Sequence, residues 1–178
     1  HRDLTDLDAV IIPGGFSFGD YLRCGALAAR SALMEDVRRF AEKGGAVLGI
    51  CNGFQILCES GLLPGALVRN RGGRFIDDWV ELEVVNAAER FGVHHKRGQR
   101  LRLPIAHGEG RFYAPADELK SLFDQGQIWL RYSLNPNGSL QDIAGVLSKN
   151  KRVAGLMPHP ERALFDWMGG TDGWGFLP

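Results

Sequence analysis

An apolar run, Ala46-Val47-Leu48, leads into Gly49-Ile50-Cys51-Asn52-Gly53, and a helical apolar pattern begins at Phe54. No other stretch constrains the chain so strongly. A strand that passes into a helix within one residue must reverse sharply at Cys51, and glycines two positions before and after it let the backbone close tightly there. The pattern G-x-C-x-G has the mechanics of the nucleophile elbow. That turn lifts a reactive side chain above the carboxyl edge of a sheet and points the next residue's N–H at the reacting oxygen.

The neighbouring segments fit a sheet that could carry such a turn. Ala9-Val10-Ile11-Ile12 is short and β-branched, as a buried strand would be, and the loop Gly14-Gly15-Phe16-Ser17-Phe18-Gly19-Asp20 lies at its carboxyl end. Residues 26–43 predict a helix with Leu33, Met34, Val37, Phe40 and Ala41 on one face and Glu35, Arg38, Arg39 and Glu42 on the other. Gly44-Gly45 stops it. This β-α-β-α order predicts crossover helices on a doubly wound α/β sheet. Farther on, 66–69, 79–85, 101–106 and 127–133 read as strands, 116–125 as a short helix and 87–99 as a polar connection. Residues 143–147 and 153–157 read as a hairpin, so the later strands are expected to be antiparallel or mixed. The economical reading is one α/β domain over residues 1–178.

Composition excludes several function classes. With 44% hydrophobic residues the chain is not disordered, and 21 basic residues against 21 acidic leave no charge surplus to bind nucleic acid or an anionic membrane. Cys24, Cys51 and Cys58 are too few and odd in number for a disulfide scaffold, and no C-x-x-C pair suggests zinc. The apolar runs fall far short of a membrane span. These features fit a soluble protein of a reducing compartment, the cytoplasm, with no metal.

A catalytic cysteine reacts as thiolate, so it needs a base or a field that favours the anion. Cys51 stands at a helix start, where negative charge is favoured. Among His1, His94, His95, His107 and His159, the last has the most informative setting, Pro158-His159-Pro160-Glu161. Prolines bias this segment toward extended backbone, in which residues two apart share a side. Glu161 is thereby expected to hold one imidazole nitrogen of His159 while the other serves the thiol, a nucleophile–base–orienter arrangement. The Asn52 N–H is one oxyanion donor by elbow geometry, and the Gly14-Gly15 loop is where the second is expected. Cys58 reads as a core residue, as do Trp129 and Phe123. His94 and His95 read as exposed, Arg69, Arg71 and Arg74 as a solvated loop. His107, in His107-Gly108-Glu109-Gly110, either lines a site or turns the chain.

These residues resemble the class I glutamine amidotransferases, the Cys-His-Glu triad family. Within it, the stretches Pro13 to Ala26, Gly61 to Leu67, Asn70 to Phe75, Pro104 to Phe112, Asn135 to Ser139 and Gly155 to Ala163 resemble the glutaminase subunits of phosphoribosylformylglycinamidine synthases. The resemblance implies a flavodoxin-like, mostly parallel sheet with helices on both faces. It implies Cys51 as nucleophile, His159 as acid/base, Glu161 as its orienter, Gly15 and Asn52 as backbone oxyanion donors, and Gln55 as a contact to the substrate L-glutamine; His107 is a further candidate contact from its own setting. It further implies ammonia delivery to a synthetase subunit in de novo purine biosynthesis, with a small accessory subunit in the same complex. ATP and Mg are expected on the synthetase, because the Gly14 to Gly19 loop lacks the lysine of a P-loop. Family members carry a strand, a helix and the approach to a second strand before the segment matching His1, so the sequence is expected to be N-terminally incomplete. Two other classes use the same residues: a Cys-His-Glu hydrolase of peptides or γ-glutamyl conjugates that needs no partner, and a non-catalytic interaction module.

Overall fold

A computed structural model describes residues 4, 6–20 and 23–176. Its strands are β1 (Ala9–Ile12), β2 (Ala46–Ile50), β3 (Ala66–Val68), β4 (Ile76–Val84), β5 (Arg100–His107), β6 (Arg111–Tyr113), β7 (Ile128–Tyr132), β8 (Ile143–Leu147) and β9 (Val153–Leu156). Its α-helices are α1 (Ala32–Glu42), α2 (Asn52–Glu59) and α3 (Ala116–Asp124). His1, Tyr21 and Leu22, which belong to stretches singled out above, lie outside the described residues.

Seven strands form one sheet in the order β1-β2-β9-β8-β7-β4-β5, and β3 pairs with β6 in a separate antiparallel ribbon. β2 lies parallel to both β1 and β9, with Gly49 opposite Ile12 on one side and Gly155 on the other. All five residues of β2 are buried, as a continuous apolar run in a sheet covered on both faces requires. From β9 onward the pairing changes. β8 and β9 are joined by the short turn around Lys151 and are antiparallel, as are β7 with β8, β4 with β7 and β5 with β4. A turn that short cannot make the crossover that parallel neighbours need. The sheet is therefore parallel at the elbow and antiparallel beyond it. β4 shows the half-buried alternation of that second part: Val80, Leu82 and Val84 are buried and Glu81 and Glu83 exposed.

Four local expectations are corrected. The helix predicted over 26–43 is one turn of 3-10 helix, Ala28–Arg30, followed by α1. Ser31 breaks it with extended backbone and caps α1 by accepting the N–H of Met34 at 3.3 Å. The buried face of α1 is Met34, Asp36, Val37, Phe40 and Ala41, whereas Leu33 is 55% exposed. Asp36 can lie inside because Arg39 pairs with it. Phe123 is exposed at the end of α3, while Trp129 on β7 is fully buried, edge-on to Phe176 with ring centroids 5.3 Å apart. His95 is buried, its ring 4.5 Å from that of Phe176. The polar composition of residues 87–99 concealed that two of their apolar members, Ala88 and Phe91, fold inward and that His95 is buried with them.

The register of α1 gives a direct test. Met34→Ala is expected to cost about 2 kcal/mol or more in urea unfolding, as a large-to-small change in a packed site does. Leu33→Ala, one position away, should stay within about 0.5 kcal/mol of the unaltered chain.

Candidate active site

Cys51 occupies the one-residue turn between β2 and α2 with φ 50° and ψ −105°. A side-chain-bearing residue with positive φ is strained. Three contacts hold it there. The Cys51 N–H donates to the Leu156 carbonyl at 2.8 Å, which ties the turn to β9. A Cβ on Gly53 would stand 2.0 Å from the Ile12 carbonyl oxygen, and one on Gly49 would stand 2.7 Å from the Gly53 carbonyl. Both glycines are needed because α2 starts in direct backbone contact with β1 and β2. The Cys51 thiol, 3.7 Å from the Ala106 carbonyl, then stands at the N-terminus of α2, where the helix field favours thiolate.

His159 arrives from β9. Its N–H donates to the Pro104 carbonyl at 2.8 Å, and its Nδ1 lies 2.6 Å from Glu161 Oε1. The expected pair therefore forms, but not on extended backbone. His159 is the last non-helical residue (φ −107°, ψ 87°), and Pro160–Arg162 is one turn of 3-10 helix begun by the proline. Pro160 lacks an N–H and fits a first helical position, so it starts a turn here instead of prolonging the strand. His159 Nε2 is buried with no hydrogen-bond partner. Gly14 connects the imidazole to the thiol: a Cβ there would lie 2.8 Å from His159 Cε1 and 3.4 Å from Cys51 Cβ. The ring and the cysteine thus both flank the space that a side chain at Gly14 would fill.

Gly15, Cys24, Cys51, Gln55, His107 and His159 all line a cleft of about 290 Å³, as do the charged residues Asp77, Glu109 and Arg162. A Cβ at Gly15 would meet nothing within 4 Å, so that residue borders open space. A larger cleft, about 650 Å³, lies over Cys58, Pro64, Glu118 and Lys149 and includes none of the predicted site residues. Cys58 itself is buried, and burial pushes its thiol well above the usual range, which fits a core residue. Among the described residues no cluster of three His, Cys, Asp or Glu could hold a metal ion.

Gln55 differs from expectation in one respect. Its side-chain oxygen accepts from Asn52 Nδ2 at 2.8 Å, and its nitrogen donates to the Glu109 carbonyl at 2.6 Å, so its amide is already engaged inside the protein. The turn that carries Glu109 is held in turn by buried polar side chains. Asn70 donates to the His107 carbonyl (2.9 Å) and accepts from the Gly110 N–H (3.1 Å). Asn137 donates to the Gly110 carbonyl at 2.9 Å, and the Ser139 hydroxyl accepts the Phe112 N–H at 3.0 Å. Three stretches that looked like separate loops in the sequence, 70–75, 107–110 and 135–139, are thus bonded together, and Phe75 and the 107–109 segment line the cleft. The supporting roles of Asn70, Asn137 and Ser139, and the place of Arg162 in the lining, escaped sequence reasoning. Such residues read as ordinary turn formers in the sequence. Arg69, Arg71 and Arg74 are exposed, as expected of a solvated loop.

His107 is 3% exposed, with both ring nitrogens unpartnered, and the ring packs flat on Gly110, where a Cβ would be only 2.3 Å away. Burial, and next the charge of the neighbouring His159, hold its pKa down from 6.5 to about 4. His107 is therefore neutral near pH 7.

Known proteins resemble the chain in sequence and in fold. A model of the CobB/CobQ-like glutamine amidotransferase domain matches residues 1–171. Phosphoribosylformylglycinamidine synthase subunit PurQ of Prochlorococcus marinus (strain MIT 9312) is 55% identical over 171 residues, which cover 96% of this chain and 77% of that protein. The PurQ of Aquifex aeolicus (strain VF5) is 51% identical, covering 97% of this chain and 80% of its own. Among solved structures, that of PurLQS from Thermotoga maritima matches with a TM-score of 0.90 at 46% identity, over 98% of this chain and 78% of the other. A glutamine amidotransferase from the same organism, 21% identical, shares the fold with a TM-score of 0.59.

The buried histidine gives the site a predicted pH response. An unfolded chain binds a proton at His107 below pH 6.5, while the folded chain resists it until about pH 4. The stability that neutral His107 allows is full above pH 6.5 and is lost as pH falls toward 4, a loss of a few kcal/mol at most. Burial lowers the pKa of His95 as well, which acts in the same direction. Urea midpoints measured between pH 7 and pH 4 should fall for the unaltered chain, and His107→Asn should flatten part of that slope.

Proposed function

This chain belongs to the PurQ family of phosphoribosylformylglycinamidine synthase subunits, built on a glutamine amidotransferase domain, and from that premise we propose that Cys51, His159 and Glu161 are its catalytic triad. As a member of that family it is the glutaminase subunit. It releases ammonia from L-glutamine for the synthetase subunit PurL, which makes formylglycinamidine ribonucleotide in purine biosynthesis. The observation that carries the assignment of residues is the 2.6 Å His159–Glu161 pair, set with the strained Cys51 elbow on either side of Gly14.

In the proposed reaction the Cys51 thiolate attacks the side-chain amide carbon of glutamine. The carbonyl oxygen becomes an oxyanion, which accepts hydrogen bonds from the backbone N–H groups of Asn52 and Gly15. One such donor is worth about 3 kcal/mol in the transition state. Protonated His159 gives its Nε2 proton to the leaving nitrogen, the C–N bond breaks, and ammonia departs. The glutamyl thioester remains. Neutral His159 then takes a proton from water, whose oxygen attacks the thioester carbon, and glutamate and the thiolate are restored. Glu161 holds the Nδ1 proton, so that Nε2 is the nitrogen that works. Neutral His107 and Gln55 are read as contacts to the substrate. Asp77, Glu109 and Arg162 offer counter-charges for the ammonium and carboxylate of a free amino acid.

Ammonia is mostly protonated in neutral water and then no longer nucleophilic, so this reading includes a closed path to the synthetase. It also includes a small accessory subunit, ATP and Mg on the synthetase, a cytoplasmic setting and a single amidotransferase domain over residues 1–178. No described helix is long and apolar enough to cross a membrane.

Cys51→Ala in the assembled synthase is expected to abolish glutamine-dependent synthesis and leave synthesis from added ammonia intact. Glutamine-dependent turnover by the Cys51→Ala complex would overturn the mechanism. Glu161→Gln, which keeps the shape but stabilises the wrong tautomer of His159, should lower glutaminase turnover by about three to four orders of magnitude.

A further inference from the structure

The Asn52 side chain makes contacts that the chemistry above does not use. It is 2% exposed, and its oxygen accepts from both the N–H (3.3 Å) and the hydroxyl (2.6 Å) of Ser17, in the loop after β1. Its nitrogen donates to Gln55 Oε1 at 2.8 Å, and Gln55 Nε2 donates to the Glu109 carbonyl at 2.6 Å. The direction of this chain of bonds is fixed at both ends. A backbone N–H only donates and a backbone carbonyl only accepts, so neither amide can be turned over without setting donor against donor or acceptor against acceptor.

We propose that the Asn52 side chain is a positioning residue that, through Ser17, holds the Gly14-Gly15 loop at the height where its N–H and the Asn52 N–H reach the same oxyanion. The inference rests on Cys51 being the glutaminase nucleophile. Two adjacent glycines leave a loop free to take many backbone conformations. An oxyanion donor is effective only within about 2.7–3.1 Å of the developing charge. Ser17, two residues beyond Gly15, is where the loop is bonded to the elbow. Asn52 thereby supplies one donor from its backbone and sets the place of the other with its side chain. Gln55 locks the Asn52 amide and joins it to the 107–110 turn, so both walls of the cleft are referred to the elbow. The same geometry makes Gln55 a strut before any substrate is bound.

The test uses the assembled synthase with Asn52→Ala, Ser17→Ala and Ser17→Thr. Four quantities are measured: glutamine-dependent kcat and KM, ammonia-dependent synthesis, and the rate at which iodoacetamide alkylates Cys51. Alkylation needs the thiolate but no oxyanion hole. Asn52→Ala is expected to lower glutamine-dependent kcat about 10- to 100-fold with KM changed by less than about threefold. Alkylation and ammonia-dependent synthesis should stay within about twofold. Ser17→Ala should lose about three- to tenfold in kcat, and Ser17→Thr, which keeps the hydroxyl, should recover most of it. An unchanged kcat in Asn52→Ala overturns the proposal. So does an equal fall in alkylation and kcat, which would mean that the elbow itself had collapsed, and so does a threonine variant no better than alanine. If Cys51→Ala retains glutamine-dependent synthesis, it is the underlying assignment of the nucleophile that fails, and the Asn52 variants are not needed to show it.

Discussion

The structure depends on one steric constraint, the direct backbone contact between the start of α2 and the ends of β1 and β2. Gly53 meets the Ile12 carbonyl and Gly49 meets Gly53, with no room for a Cβ at either place. That contact leaves Cys51 a single way through the turn, at φ 50°. Strain of this kind costs on the order of 1–3 kcal/mol and persists only where the surroundings over-determine it. Here the surroundings are the fully buried β2, its parallel neighbours β1 and β9, and the helix that closes over them. The stability of the sheet is thus expended on presenting one sulfur atom.

The rest of the site is assembled by elements remote in sequence. β9 delivers His159, whose backbone is tied to β5 through Pro104, and a proline-started turn brings Glu161 to it. The meander half of the sheet delivers the opposite wall. Its turn at 107–110 has few bonds of its own and is held by Asn70 and Asn137 from two other loops. Burial on that wall keeps His107 neutral beside His159.

Patterns with one local cause were legible in the sequence. The elbow comes from two glycines around a cysteine, the strand β2 from an uninterrupted apolar run, and the β8–β9 hairpin from a polar turn between two apolar runs. Features that depend on partners elsewhere were misread. His95 looked exposed because its neighbours are polar, but Phe176, far along the chain, covers it. Leu33 looked buried because it fits the helical period, yet the inner face of α1 turned toward Asp36, whose charge Arg39 neutralises. His159 and Glu161 form the expected pair on an unexpected backbone. Proline restricts its predecessor, but from Pro160 onward the chain takes a 3-10 turn and not a strand.

By itself the sequence determined the elbow cysteine, the pairing of His159 with Glu161 and the family, because those rest on short spacings and on side chains with specific chemistry. Only the tertiary structure decided which groups surround them: that Gln55 and Asn52 are bonded to each other, that three scattered loops are bonded together, and that Arg162 and His107 line the cleft while Leu33 does not belong to the core. The physical reason is range. A tight turn or an apolar run is dictated by residues within a few positions. Burial, a hydrogen bond across 35 or 54 residues and the neutral state of an imidazole are properties of the groups that the folded chain places side by side.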